Sequence, residues 1–156
     1  MRPTEAPVEA EAPRLLKADL FGQIAVENLN GRACVVRDVG CARWWTRWLA
    51  GRLAAREAKA LRALDGLPDV ARLLSWDGSR LVRSWIPGQP LQSANVRDPR
   101  FYDALRRLVV SLHRRGVVHN DLAKQPNVLV QPDGRPALVD FQLAAVHRRR
   151  GRWFRL

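Results

Sequence analysis

His119-Asn120-Asp121-Leu122-Ala123-Lys124-Gln125-Pro126-Asn127, followed thirteen residues after Asn127 by Asp140-Phe141-Gln142, is the stretch that decides how this 156-residue chain is read. Between the two pieces, Val128 to Val130 and Ala137 to Val139 are apolar runs on either side of the turn Pro132-Asp133-Gly134, the pattern of a tight hairpin. A hairpin of that length returns Asp140 to the neighbourhood of Asn127. Oxygen ligands at its two ends suit a hard cation such as magnesium, which keeps waters and shares phosphate oxygens with what it binds. Asp121, on the same loop, then faces the nucleophile side of that ion, an arrangement suited to in-line transfer of a phosphoryl group.

Working outward, the loop is fed by a helix expected from Pro99 to about Arg115. Asp98 is its natural N-cap, Phe101, Leu105, Leu108, Val109 and Leu112 form its apolar stripe, and Gly116 stops it. Ile86-Pro87-Gly88 reads as a hinge, and the segment to Val96 as a linker. Before the hinge, Ala71 to Trp76 and Arg80 to Trp85 are strands joined through Asp77-Gly78. A helix from about Ala42 to Leu64 precedes them, with Trp45, Trp48, Leu49, Leu53, Leu61 and Leu64 on one stripe. Glu57 falls within that stripe, and a carboxylate on a buried face needs a cationic partner on the sheet. Further back, Leu15 to Phe21, Gln23 to Leu29 and Ala33 to Asp38 form a three-stranded meander. Its second turn, Asn30-Gly31, is the strongest short hairpin signal because both positions need positive φ.

Composition bounds the rest. The length suits one domain, and no apolar run approaches the ~20 residues that cross a bilayer. Residues 1 to 13 combine Pro3, Pro7 and Pro13 with Glu5, Glu9 and Glu11, the signature of a disordered leader without a secretory signal, so a cytoplasmic protein is expected. Cys34 and Cys41 are read as buried, reduced thiols. Of the 27 basic residues behind the net charge of +12, only Lys17, Lys59 and Lys124 are lysine. Arginines run through the whole chain, but only His147 to Arg155, interleaved with Trp153 and Phe154, is dense enough to suggest an anionic partner such as the inner face of a membrane. Nucleic acid is the weaker reading. Trp44, Trp45 and Trp48 are read as core or lobe-interface residues, with a partner contact as the alternative.

The order helix, His119-Asn120-Asp121-Leu122, Asn127, strand, turn, strand, Asp140-Phe141-Gln142 resembles the catalytic loop and magnesium-binding segment of protein kinases. Three strands, a helix bearing Glu57, two strands and a hinge resemble a kinase N-terminal lobe. The variant spelling, with Leu143-Ala144 after Gln142, looks most like small bacterial kinase-like proteins of the serine/threonine or RIO type, near the kinases of lipopolysaccharide core sugars. This resemblance implies an α+β fold, a minimal or truncated kinase-like one. It divides into a leader (1–13), a small antiparallel-sheet N-terminal lobe (14–86), a short, mainly helical C-terminal catalytic lobe (87–146) and a basic tail (147–156). It implies transfer of the γ-phosphate of magnesium-ATP to a hydroxyl on a protein or an envelope sugar, with ATP and Mg2+ as cofactors. Asp121 matches the residue that accepts or orients the hydroxyl proton, Asn127 and Asp140 match the metal ligands, and Lys124 lies near where many related kinases place a lysine on the transferred phosphate. His119 matches a structural residue beneath the loop.

Several positions depart from that pattern. Five residues rather than four separate Asp121 from Asn127. Arg37 stands where an ATP-contacting lysine is usual; an arginine there can bridge Glu57 and a phosphate but is not interchangeable with an ammonium, and Lys17 is a candidate substitute. Gly22 stands alone where a glycine-rich loop has three glycines, and the chain stops soon after Asp140. These departures keep open the alternative of a catalytically inactive pseudokinase that binds nucleotide or a partner.

Overall fold

A computed structural model describes residues 14–19 and 22–147, with side chains from Gln23 onward apart from that of Gln125. The leader lies outside the described residues, as does the tail from Arg148. The first extended runs become β1 (Arg14–Asp19), β2 (Gly22–Leu29) and β3 (Arg32–Asp38). Asn30 and Gly31 both take positive φ, 53° and 77°, so the β2–β3 turn has the backbone that this dipeptide favours. Helix α1 (Arg47–Ala63) follows, then β4 (Leu73–Trp76) and β5 (Arg80–Ser84). The five strands make one antiparallel sheet in the order β1-β2-β3-β5-β4.

The second half begins with β6 (Gln89–Pro90) and the single helical turn α2 (Leu91–Ala94), so the expected linker carries some structure of its own. Helix α3 (Pro99–Arg114) then runs to β7 (Val117–Val118), with Asp98 accepting a hydrogen bond from the Arg100 N–H at 2.9 Å as its N-cap. After the polar loop come β8 (Val128–Val130), β9 (Pro136–Leu138) and β10 (Ala145–Val146). β8 pairs with β6 and β9, and β10 closes back onto β7. The result is an α+β fold.

One apolar cluster joins the two halves. Leu61 and Leu64 at the end of α1 pack with Phe101, Leu108 and Leu112 of α3, with Val117, Val128 and Leu138 on the short strands, and with Phe141. Asp69, in the left-handed region at φ 64°, ties the connection after α1 to the β8–β9 hairpin: its carbonyl accepts from the Leu138 N–H at 3.0 Å and its carboxylate from Gln131 Nε2 at 2.7 Å.

Three sequence expectations are corrected here. Helix α1 starts at Arg47 rather than Ala42, after a turn in which the Thr46 hydroxyl donates to the Arg43 carbonyl. Its buried face is Ala50, Ala54, Glu57, Ala58, Ala60 and Leu61, so small side chains make the close contact with the sheet. Trp48 lies two residues, about 200° of helix rotation, from Ala50 and therefore points away. Trp44, Trp45, Trp48 and Leu49 are exposed, not core. Cys41 is also exposed because it sits in the turn after β3, whereas Cys34 is buried; both thiols are free.

Gly116 ends α3 at φ 76°, and a Cβ there would come within 2.5 Å of the His147 carbonyl oxygen. The left-handed backbone alone costs an L-residue roughly 1–2 kcal/mol. Gly116→Ala is expected to destabilise by about 2 kcal/mol or more, lowering the melting temperature by roughly 4–8 °C. An unchanged thermal melt would contradict this geometry.

Candidate active site

The site is built from the sheet on one side and the polar loop on the other. On the sheet, Arg37 of β3 is paired with Leu81 of β5, and Val35 with Arg83, so the two arginines project from the same face on neighbouring strands. That face meets α1 at Glu57, whose side chain has 0% exposure. Arg37 Nε lies 3.3 Å from one carboxylate oxygen of Glu57 and Arg83 Nε 3.2 Å from the other. Neither N–H is aimed well enough to make a hydrogen bond, so attraction between charges holds the cluster together. Burial pushes the Arg83 guanidinium below its usual pKa, while the charges of Glu57 and Asp140 act in the opposite direction. A guanidinium is not deprotonated in proteins, so both arginines carry charge. Lys17 on β1 is in register with Ile24, and Ile24 with Arg37, which puts Lys17 on the same line across the sheet, one strand removed.

On the loop, His119 is 1% exposed and lies against Phe141, with ring centroids 4.5 Å apart. Its Nε2 is 2.9 Å from the Val139 carbonyl, which can only accept, so that nitrogen carries the proton. The ring thereby clamps the loop to the far end of the hairpin, and its role is structural. Asn120, at φ 64°, donates from its side-chain amide to the Leu143 carbonyl at 3.1 Å, a second clamp. Between them Asp121 receives hydrogen bonds from Lys124 Nζ and from Asn127 Nδ2, both at 3.0 Å. The hydrogen bond from the Lys124 ammonium is the largest cause holding the Asp121 carboxyl below its ordinary value of 3.8, and the Asn127 amide acts in the same direction.

The extra residue between Asp121 and Asn127 is taken up by local winding. The Lys124 N–H reaches back to the Asp121 carbonyl at 3.3 Å, the Asn127 N–H to the Lys124 carbonyl at 3.0 Å, and Gln125–Asn127 form a 3-10 turn. Asn127 is brought round so that its amide nitrogen meets both the carboxylate and the carbonyl of Asp121. With the nitrogen committed, its side-chain oxygen is left to face elsewhere. The Asn127 carbonyl also accepts from the Val139 N–H at 3.0 Å, extending the β8–β9 ladder so that Asp140 emerges beside Asn127.

Asp140 adopts φ 61°, an uncommon left-handed conformation, and its Oδ1 is buried without a hydrogen-bond partner. A carboxylate oxygen left without a partner is the kind of donor that a hard cation takes, completing its shell with water and phosphate. Among the described residues no three His, Cys, Asp or Glu side chains form a group that could hold a metal ion.

The structure therefore brings Asp121, Lys124 and Asn127 into one hydrogen-bonded group, sets Asp140 beside it, and puts Arg37 and Glu57 together. Arg83 is the residue that sequence reasoning missed. The buried Glu57 predicted a cation on the sheet, but β-strand alternation cannot say which of Arg80 or Arg83 lines up beside Arg37 until the β3–β5 register is known.

Two comparisons relate the chain to known proteins. Residues 7–148 match the model of the phosphotransferase enzyme family, and the chain belongs to that family, a kinase-like group of transferases. It is also 30% identical over 107 residues to serine/threonine-protein kinase C of Synechocystis sp. (strain ATCC 27184 / PCC 6803 / Kazusa), a match covering 60% of this chain and 20% of that relative. The chain thus aligns with about a fifth of the curated relative's length.

Two outcomes follow from the charges. Glu57→Gln leaves two largely covered arginines without their counter-charge and is expected to cost about 3–5 kcal/mol, whereas Arg83→Leu leaves Glu57 paired with Arg37 and costs less. Denaturant unfolding measures both, and the reverse ranking would contradict the cluster. Because its folded pKa is depressed, Asp121 contributes stability that is fully present above the unfolded carboxylate value and is lost progressively as the pH falls from there through the lower folded value. Lys124→Met is expected to move the Asp121 titration upward in carbon-detected NMR, and an unmoved midpoint would count against the Lys124 contact.

Proposed function

We propose that this protein is a magnesium- and ATP-dependent phosphotransferase that moves the γ-phosphate onto a hydroxyl of a protein or an envelope sugar. The observation that carries this reading is the pairing of Asp121, already ionised and held by Lys124 and Asn127, with the orphaned oxygen of Asp140 across the hairpin. Asp121 takes or orients the acceptor's hydroxyl proton as the acceptor oxygen bonds to phosphorus and the bond to the bridging oxygen breaks, releasing ADP. Lys124, whose side chain is 65% exposed, swings from Asp121 to the transferred phosphoryl group as charge develops there. Asn127 and Asp140 hold the metal, which supplies charge neutralisation at the phosphates. Arg37, kept in place by Glu57, meets the upstream phosphates, with Lys17 as an alternative. The serine/threonine kinase named among the relatives favours a protein hydroxyl over a sugar, and the reading suits a cytoplasmic protein that works peripherally at the inner face of the membrane, aided by the basic tail. Among the described residues no helix is long and apolar enough to cross a membrane.

A second reading, a pseudokinase that binds nucleotide or a partner without turnover, is favoured by Arg37. Its planar fork, engaged by Glu57, is not interchangeable with a lysine ammonium.

The test is transfer or hydrolysis of γ-labelled ATP with magnesium. Asp121→Asn and Asp140→Asn are each expected to lower turnover by about 10²-fold or more with an unchanged circular dichroism spectrum. Unchanged turnover in either variant overturns the assignment, and a wild type that binds nucleotide without turnover establishes the second reading.

A further inference from the structure

The start of α1 and the turn before it carry a surface that neither the core nor the site uses. Trp44 is 85% exposed, Trp48 69% and Trp45 55%. Arg43, Arg47 and Arg52 are exposed in the same stretch, and no Asp or Glu occurs between Asp38 and Glu57. The patch is organised rather than frayed: the Arg52 guanidinium lies 5.1 Å from the centre of the Trp48 ring, and an Arg47 side-chain nitrogen donates to the Gly40 carbonyl at 3.1 Å. Its underside is anchored by Ala42, Ala50 and Ala54, which pack with Val39 and with Trp76.

We propose that this surface docks the protein onto an anionic phospholipid bilayer. Indoles favour the headgroup level, where the ring is half in hydrocarbon and the N–H stays wet. Arginines around them add attraction to anionic lipid, and together these are the two ingredients of interfacial binding. The first turn of α1 has no acidic residue, so the positive end of the helix dipole reinforces the same sign. A second copy of the chain is a poor occupant, because it would present the same basic patch and the same net charge of +12. A folded acidic protein would need pockets matched to three indoles, whereas a fluid headgroup layer needs none. Trp48 and Glu57 lie on one helix, nine residues or roughly 13 Å apart along its axis, so docking brings the site near the lipid surface. That last consequence rests on the phosphotransferase reading and bears on a membrane-borne acceptor; the docking itself does not depend on it.

The experiment is co-sedimentation of the full chain with vesicles of phosphatidylcholine alone and of phosphatidylcholine with phosphatidylglycerol in equal parts. Binding only to the anionic vesicles is expected, with a blue shift of tryptophan emission. The triple change Trp44→Ala, Trp45→Ala and Trp48→Ala is expected to weaken it by about tenfold or more. The single change Trp44→Ala, at the most exposed position, weakens it measurably with an unaltered thermal melt and unaltered ATP turnover. Glutamine replacements of the tail arginines, Arg148, Arg149, Arg150, Arg152 and Arg155, leave the blue shift and the effect of the tryptophans in place. The proposal is overturned if the triple variant binds as the wild type does, if binding disappears with the tail changes alone, or if the chain binds soluble polyglutamate and no vesicle. Vesicle binding in a protein without turnover would remove the phosphotransferase reading and leave the docking surface standing.

Discussion

A carboxylate with no exposure, set between two arginines on neighbouring strands, is the constraint on which the arrangement depends. Glu57 could not be buried alone, since an unpaired charge in the interior costs several kcal/mol, a large share of what a domain of this size has in total. Its two partners, Arg37 and Arg83, sit on β3 and β5, so the ion cluster fixes both the rotation of α1 and its position over the sheet. The far end of the same helix enters the apolar cluster with Phe101, Leu112 and Phe141. The helix is thus held by charge at the sheet and by apolar packing at the loop, and it relates the basic half of the site to its acidic half.

The two halves are complementary. The sheet offers two guanidiniums against one buried carboxylate, an excess of positive charge, and Asp140 is near enough for its charge to favour the cationic form of Arg83. The loop offers Asp121 and Asp140, one satisfied by Lys124 and Asn127 and the other left with a buried oxygen unpartnered. A phosphate chain has charge for the first half, and a divalent cation has charge for the second. Two left-handed residues fall in the same place: Asn120, whose amide clamps the loop to the Leu143 carbonyl, and Asp140 at the hairpin end.

Much of this was legible in the sequence because it depends on local signals. Asn30-Gly31 specifies its turn, Asp98-Pro99 specifies the start of α3, and the apolar runs around Pro132-Asp133-Gly134 specify the hairpin that carries Asp140 back to Asn127. Glu57 on an apolar stripe announced an ion pair. What was not legible depended on register or on competition between faces. The β3–β5 pairing selects Arg83 as the second partner, and no local rule predicts it. The tryptophans before and within the first turn of α1 looked like core by residue type. The alanines Ala50 and Ala54 took that role because they let the helix approach the sheet closely, and the indoles were turned outward. The added residue before Asn127 likewise looked like a defect, and a turn of 3-10 helix absorbs it.

The most direct test of the central claim, that these charges form a joint phosphate and metal site, is the thermal melt of the chain with ATP in the presence of magnesium or of a chelator. At about 100 times its dissociation constant a ligand stabilises by roughly 2.7 kcal/mol, which for a chain of this size raises the melting temperature by about 5–11 °C. The account predicts a rise of that order with magnesium, much reduced with chelator, and absent in Asp140→Asn. An equal rise in all three conditions, or none at millimolar nucleotide with magnesium, would contradict it.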